Sequence, residues 1–313
     1  MKHLISLKEQ SKEDILSILH KAQDLKEQSA KNNKVGYLKN KTMIMLFQKT
    51  STRTRLSYEA AMTELGGHAI FLDARTSQFA LTDFVDEIKA VMRFGQILMF
   101  RALKSENVIK AAALNQIPII DGCSEKYHPS QALSDLLTMV EYADGLDNIK
   151  KVVWLGIENN VSNTLMLVCS KLGIKFVLVC PKTDKDSIDS ELIKQAEDTG
   201  LISRTLDLEQ ALQGASFVHT DTWMNMEFFA GDKIKEEYLD EYNKRKELFM
   251  PYQLNAELID KYAPQVKIMH CMPCHVGYEI SRDAIDHKNS IIFDQAANRL
   301  HMQKAMILWL YEK

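Results

Sequence analysis

At 313 residues the chain has room for two domains of ordinary size, and a hydrophobic content of 46% is enough to bury two cores. A formal net charge of -3 leaves no basic field, which argues against nucleic acid or an anionic membrane surface as a partner. Met1-Lys2-His3-Leu4-Ile5-Ser6-Leu7-Lys8 breaks into charge before an apolar export segment can form, and no stretch approaches bilayer-spanning length, so the expected location is the cytoplasm, with the five cysteines reduced.

Ser11 to Lys26 reads as an amphipathic helix, with Ile15, Leu16, Ile18, Leu19, Ala22 and Leu25 at helical spacing. Beyond it, short apolar runs alternate with helical stretches nearly to the end, the pattern of parallel strands joined by crossover helices. In the first half the expected strands are Thr42 to Phe47, His68 to Leu72, Ile97 to Phe100 and Ile117 to Ile120. The first feeds Phe47-Gln48-Lys49-Thr50-Ser51-Thr52-Arg53-Thr54-Arg55 and a helix from Arg53 to Leu65, with Leu56, Ala60, Met62 and Leu65 on its apolar face and Gly66-Gly67 as its stop. Hydroxyls, guanidiniums and free N–H groups at a helix start form an oxyanion site, although Ser-Thr-x-Thr alone also reads as an ordinary N-cap. Arg101 follows the third strand, and His128-Pro129-Ser130-Gln131 opens a long helix to Tyr142. An anion site, an isolated arginine and a His/Gln pair at a helix start together suggest a polarising pocket.

Asp144-Gly145-Leu146-Asp147-Asn148 is a polar break, after which Lys151 to Leu155, Lys175 to Val179, Phe217 to Thr220 and Val266 to Met269 supply a second sheet. Asn159-Asn160-Val161-Ser162-Asn163 starts a helix off the first of these strands, where open α/β sheets bind ligands. Asp221 and Asn225-Met226-Glu227 follow the third, and the charge-rich stretch Asp232 to Glu247 reads as a solvated helix. His270-Cys271-Met272-Pro273-Cys274-His275 has one Cys-x-x-Cys pair where a zinc site of this type needs two, and its c-type haem pattern would require export. A final helix runs from Asp294 to Tyr311 through Arg299.

Ser51-Thr52-Arg53-Thr54, the isolated Arg101 and His128-Pro129-Ser130-Gln131 resemble, in order and spacing, the carbamoyl-phosphate site of the aspartate/ornithine carbamoyltransferase family. His270-Cys271-Met272-Pro273 is similar to the ornithine branch's His-Cys-Leu-Pro, and the likeness runs from about Met1 to the C-terminus. The resemblance implies two doubly wound parallel-sheet α/β domains joined by long helices: residues 1–143 for carbamoyl phosphate, completed by a C-terminal helix at 294–313 that packs back on them, and residues 149–290 for the acceptor. It implies that Ser51, Thr52, Arg53, Thr54, Gln78, Arg101, His128, Gln131, Cys271, Met272 and Arg299 bind carbamoyl phosphate. Arg101, His128 and Gln131 would polarise the carbonyl, Arg299 would be brought in by the last helix, and Asp221 and Cys271 would adjust the attacking amine. Asn163, Asp221, Asn225 and Met226 would hold L-ornithine, giving L-citrulline and phosphate without a metal or cofactor. A homotrimer is implied, in which the loop Ala74 to Gln78 reaches a neighbouring subunit's site.

Several positions depart from the family pattern: Ile157 for Asp, Asn225 for Ser, Glu227 for Gly and Lys89 for Arg, with a longer segment leading to Met250-Pro251-Tyr252-Gln253. Most of these departures fall on the acceptor side. Putrescine, a modified ornithine, or a protein that binds carbamoyl phosphate without catalysis are the alternatives they leave open.

Overall fold

The structure is a computed structural model and describes every residue except 32–34, 225–227, 232 and 313. In chain order the first half contains α1 (Lys12–Ala30), β1 (Thr42–Phe47), α2 (Thr52–Glu64), β2 (His68–Asp73), α3 (Phe84–Val91), β3 (Ile97–Arg101), α4 (Ser105–Ala113), β4 (Ile119–Asp121) and α5 (Pro129–Tyr142). The second half has β5 (Lys151–Glu158), α6 (Asn160–Lys171), β6 (Lys175–Thr183), α7 (Ser190–Glu197), β7 (Ile202–Arg204), α8 (Leu208–Leu212) and β8 (Phe217–Thr220). It continues with a two-strand ribbon of β9 (Phe229–Ala230) and β10 (Lys233–Ile234), then α9 (Leu239–Phe249), α10 (Ala256–Tyr262), β11 (Lys267–His270), α11 (Arg282–Ile285) and α12 (Ile292–Trp309).

Both large sheets are parallel, in the orders β2-β1-β3-β4 and β11-β8-β5-β6-β7. Their middle strands are buried on both faces, which explains why they read as continuous apolar runs. Strand order reverses between β1 and β3 in the first sheet and between β5 and β8 in the second. Such switch points leave a crevice beyond the carboxyl ends of the strands, because successive crossovers depart to opposite sides. The β1/β3 register sets Phe47 beside Arg101, and the β5/β8 register sets Leu155 beside Thr220. The Ser51 motif and Arg101 therefore leave the first sheet at one crevice, and Asn159 and Asp221 leave the second sheet at the other.

The fold is the expected one, with two doubly wound parallel-sheet α/β units and a C-terminal helix that returns to pack on α1, α2 and α5. One hydrophobic core runs through β1, α2, α5, β5, α6 and α12, so the halves share packing along the long helices. A second link lies at the N-terminus. Leu4 pairs with Ile120 at the edge strand of the first sheet, and six residues later the chain crosses to α6, where Lys171 Nζ donates to the carbonyls of Leu7, Lys8 and Gln10 at 2.7 Å each.

Two expectations change. Leu56 does not belong to the apolar face of α2: it is 60% exposed, and the helix buries Thr54, Tyr58, Ala61 and Met62 instead. Helix α2 does end as expected, with Gly66 at φ +79, the left-handed C-cap conformation that glycine adopts without a Cβ clash. The charge-rich stretch is a shorter helix, α9, and it is not solvated all round, because Tyr242 and Phe249 are buried.

Candidate active site

The first switch point builds the cationic side of a cleft of about 210 Å³. Ser51 caps α2, accepting from Thr54 N–H at 3.3 Å, and its hydroxyl lies 3.0 Å from Thr54 Oγ1. Arg53 enters from the first turn of α2, Arg101 from the end of β3 and Arg299 from α12, whose Nη2 donates to Thr54 Oγ1 at 3.0 Å. The buried Nε atoms of all three arginines have no hydrogen-bond partner among the described residues. Burial and the neighbouring Arg101 push the Arg299 guanidinium down to about 10, and burial lowers Arg53 as well. Three partly desolvated cations beside a helix N-terminus repel one another until an anion neutralises them.

His128, the N-cap of α5, is almost fully buried, and burial followed by Arg299 and Arg101 holds its imidazole well below its usual range. It is neutral at physiological pH, with Ser130 Oγ 3.4 Å from Nδ1. Gln131 donates from Nε2 to Asp135 Oδ1 at 2.8 Å, leaving its buried Oε1 without a partner. The free atom is an acceptor, whereas the polarising role expected of Gln131 needs a donor.

The second switch point faces the first. Asp221, beyond β8, accepts from Asn159 Nδ2 (2.8 Å) and Thr222 N–H (2.8 Å), and Cys271 Sγ lies 3.0 Å from its Oδ1. Burial, reinforced by Asp221, pushes the Cys271 thiol well above its usual range, so it stays protonated. Met272 adopts φ +54, and its N–H donates to His270 Nδ1 while His270 Nε2 meets Glu279 Oε1 at 3.2 Å. Asp221, His270 and Cys271 bring potential ligand atoms within 4.8 Å of one another. Both ring nitrogens of His270 are already engaged, however, and Cys274 and His275 are not part of that group.

Ser51, Arg53, Thr54, Arg101, His128, Gln131, Asp221, Cys271, Met272 and Arg299 all line this one cleft. Thr52 is exposed and contributes through the helix start alone, while Gln78 is exposed on a short turn outside the cleft. Asn163 is not brought to the cleft: its side chain is 1% exposed, and Nδ2 donates to Ser187 O at 3.2 Å. Asn160 lines the cleft in its place, one step after the N-cap, with Nδ2 donating to Ser124 O at 2.8 Å. Asn225 and Met226 lie outside the described residues, as does Glu227. Sequence reasoning also missed Lys49, Cys123 and Thr222 as lining residues. Lys49 stood inside the quoted motif and Thr222 beside Asp221, but Cys123 had no signal of its own.

The family model "Aspartate/ornithine carbamoyltransferase, carbamoyl-P binding domain" matches residues 2–141, and "Aspartate/ornithine carbamoyltransferase, Asp/Orn binding domain" matches residues 148–310. The chain belongs to the aspartate/ornithine carbamoyltransferase family. It is 36% identical to the ornithine carbamoyltransferase of Archaeoglobus fulgidus over 315 aligned positions, covering 100% of this chain and 98% of the relative. The solved ornithine carbamoyltransferase of Pyrococcus furiosus superposes with a TM-score of 0.87 at 34% identity, covering 98% of this chain and 96% of that one. The anabolic ornithine carbamoyltransferase of Campylobacter jejuni does so with a TM-score of 0.86 at 32% identity, covering 99% of each chain.

Within this family the substitution of Ile157 for Asp acquires a physical account. Ile157 packs with Trp223, Phe249 and Tyr278 in a small apolar cluster. A carboxylate there would be buried against two stacked rings. Gly156 beside it has φ +108, and a Cβ would lie 2.5 Å from Trp223 Nε1, so the approach of Trp223 requires glycine.

Proposed function

We propose that the chain is an ornithine carbamoyltransferase, moving the carbamoyl group of carbamoyl phosphate to the side-chain amine of L-ornithine to give L-citrulline and phosphate. The observation that carries this reading is the convergence of Arg53, Arg101 and Arg299, without partners at Nε, on the capped start of α2, across the cleft from the hydrogen-bonded Asp221. A phosphate dianion satisfies the first group, and an ammonium the second.

In this reading Ser51, Thr54, Arg53 and the N–H groups of the first turn of α2 hold the phosphate. Arg101 and His128 polarise the carbonyl. With the Ser130 hydroxyl donating to Nδ1, the ring proton of His128 sits on Nε2 and is offered to the oxygen as it gains charge. Asp221 holds the α-ammonium of ornithine, and Asn160, at the mouth of the second switch point, replaces Asn163 as the polar partner for its carboxylate. The neutral side-chain amine attacks the carbonyl carbon, the C–O bond to phosphate breaks, and the amine proton passes to the departing phosphate. Cys271, held as a thiol, donates to Asp221 and fixes the direction of that carboxylate, and does not act as a base. Aligning two bound substrates contributes about 7 kcal/mol or more to lowering the barrier.

The same reading places the enzyme in the cytoplasm as a homotrimer. Its five cysteines are all free, which suits a reducing compartment. Leu81, three residues after Gln78, and Phe94 are 79% and 73% exposed and supply apolar surface for a neighbouring subunit. No described helix is long and apolar enough to cross a membrane. The test is phosphate release and ureido product with carbamoyl phosphate and, separately, ornithine, putrescine, N-acetylornithine, lysine and aspartate. Ornithine is expected to give the highest kcat/KM. A higher value for putrescine, which has no carboxylate, would overturn the acceptor while leaving the donor site standing, and no turnover with any amine would remove the transferase reading.

A further inference from the structure

Behind the cleft a chain of buried hydrogen bonds runs from the second half to Gln131, and a backbone N–H at one end and a carboxylate in the middle set which way both of its amides point. His270 N–H, at the end of β11, donates to Gln295 Oε1 on α12 at 2.9 Å. The other end of that amide, Nε2, therefore faces Asp135 on α5, donating to Oδ1 at 2.6 Å, and its second hydrogen meets Nε2 of His219 on β8 at 2.8 Å. His219 Nδ1 lies 2.9 Å from Thr220 O, and its Nε2 lies 3.3 Å from Asp135 Oδ2 as well. Asp135 Oδ1 takes its second bond from Gln131 Nε2 at 2.8 Å. Asp135, His219 and Gln295 are all 0% exposed, so water cannot replace any of these partners. Turning either amide end for end would set oxygen against oxygen at the carboxylate.

We propose that Asp135 and Gln295 are the positioning pair that selects the carbamoyl group, because they hold Gln131 so that it shows the cleft a carbonyl oxygen and no N–H. The two ends of a glutamine amide are nearly the same size, and only the partner behind it decides which one faces a ligand. With Nε2 held by Asp135, Oε1 is left to accept an N–H from the donor's NH2 group. A donor with methyl in place of NH2 leaves that buried acceptor unpaired. This rests on the carbamoyl-phosphate reading of the cleft and deepens it: specificity for the transferred group originates behind the pocket wall, in residues that touch no substrate.

The test measures dissociation constants of carbamoyl phosphate, acetyl phosphate and inorganic phosphate for the wild-type protein, Asp135→Leu and Gln295→Met. Leucine at 135 keeps the approximate size and removes the acceptor, which frees Gln131 to turn. The ratio of acetyl-phosphate to carbamoyl-phosphate dissociation constants should fall about tenfold in Asp135→Leu, the worth of one such bond. Inorganic phosphate should stay within about twofold, since it does not carry the group being read. Gln295→Met should move the ratio in the same direction by less. An unchanged ratio, or equal losses for all three ligands, in a variant with a wild-type melting profile overturns the proposal. If Asp135→Leu does not fold, an unchanged ratio in Gln295→Met overturns it alone. A wild-type protein that binds phosphate without preferring carbamoyl phosphate would instead defeat the functional reading, a separate outcome.

Discussion

Asp121 closes β4 with a fully buried carboxyl group whose Oδ1 accepts from Cys123 N–H at 2.9 Å, while Oδ2 has no partner among the described residues. Burial holds this carboxyl well above its ordinary value of 3.8, so the folded chain keeps the proton at pH values where the unfolded chain has released it. The stability it contributes is complete below 3.8 and is lost as pH rises toward the raised value. Asp121→Asn should therefore melt higher than wild type near neutral pH, with the gain shrinking to nothing as the pH falls through the ordinary carboxylate range. Melting curves across that range check it, and a gain of the same size at both ends would mean packing, not titration, is responsible. At this scale the sequence exposed the residues whose chemistry is local. Ser51, Arg53, Thr54, His128 and Gln131 stood in contiguous motifs at helix starts, and all line the cleft. Asn163 was misplaced by one turn's worth of choices, since three asparagines sit in five positions and only the helix phase decides which faces out. The partner of Gln131 was legible in spacing, four residues on at Asp135, but the partner of Asp135 came from Gln295, 160 residues away, and nothing in the pattern announced it.

Helix α9 is the element that the family resemblance did not supply. It lies against the segment that leaves β8: Phe249 stacks on Trp223 with ring centroids 5.4 Å apart, Arg245 Nη1 donates to Trp223 O at 2.9 Å, and the Arg245 guanidinium sits 5.1 Å from the Phe228 ring centroid. Phe249→Ala should cost about 3 kcal/mol or more of stability, as for other fully buried aromatic side chains. Because Trp223 follows Asp221 by two residues, the same change should raise KM for the acceptor while leaving carbamoyl-phosphate binding within about twofold. A rise in both would mean that α9 supports the whole cleft and not the acceptor side. Strands such as β1, β5 and β8 were visible because both faces are buried and their runs are unbroken. By contrast β7 has three residues, two of them exposed, and α3 and α4 are eight and nine residues long, too short for a clear helical period. Leu56 misled for the converse reason, being an apolar residue at helical spacing on the outer face of α2.

At the scale of the whole molecule the cleft exists because two switch points face each other, one cationic and one hydrogen-bonded around Asp221. An anion bound to these arginines should stabilise both halves together, since Arg53 and Arg101 come from α2 and β3 of the first half and Arg299 from the helix that returns from the second half. Carbamoyl phosphate at about a hundred times its dissociation constant should add roughly 2.7 kcal/mol to stability. Differential scanning calorimetry should show one transition moving upward, and Arg101→Ala should abolish most of the shift. A shift retained in that variant would place the anion elsewhere. Sequence alone implied the alternation of strands and helices and so the two sheets, but how the halves meet depends on long-range packing that no local pattern records. The ammonium of Lys171 is an example: an unremarked lysine at the end of α6 that gathers three carbonyls of residues 7–10. That one ammonium ties α6, in the second half, to the strap that opens the first. Any gape of the cleft that drew α6 away from the N-terminal strap would strip three charge-assisted bonds in one stroke, a cost of about 5 kcal/mol or more. A single residue, Lys171, therefore couples any displacement of α6 to a displacement of residues 7–10.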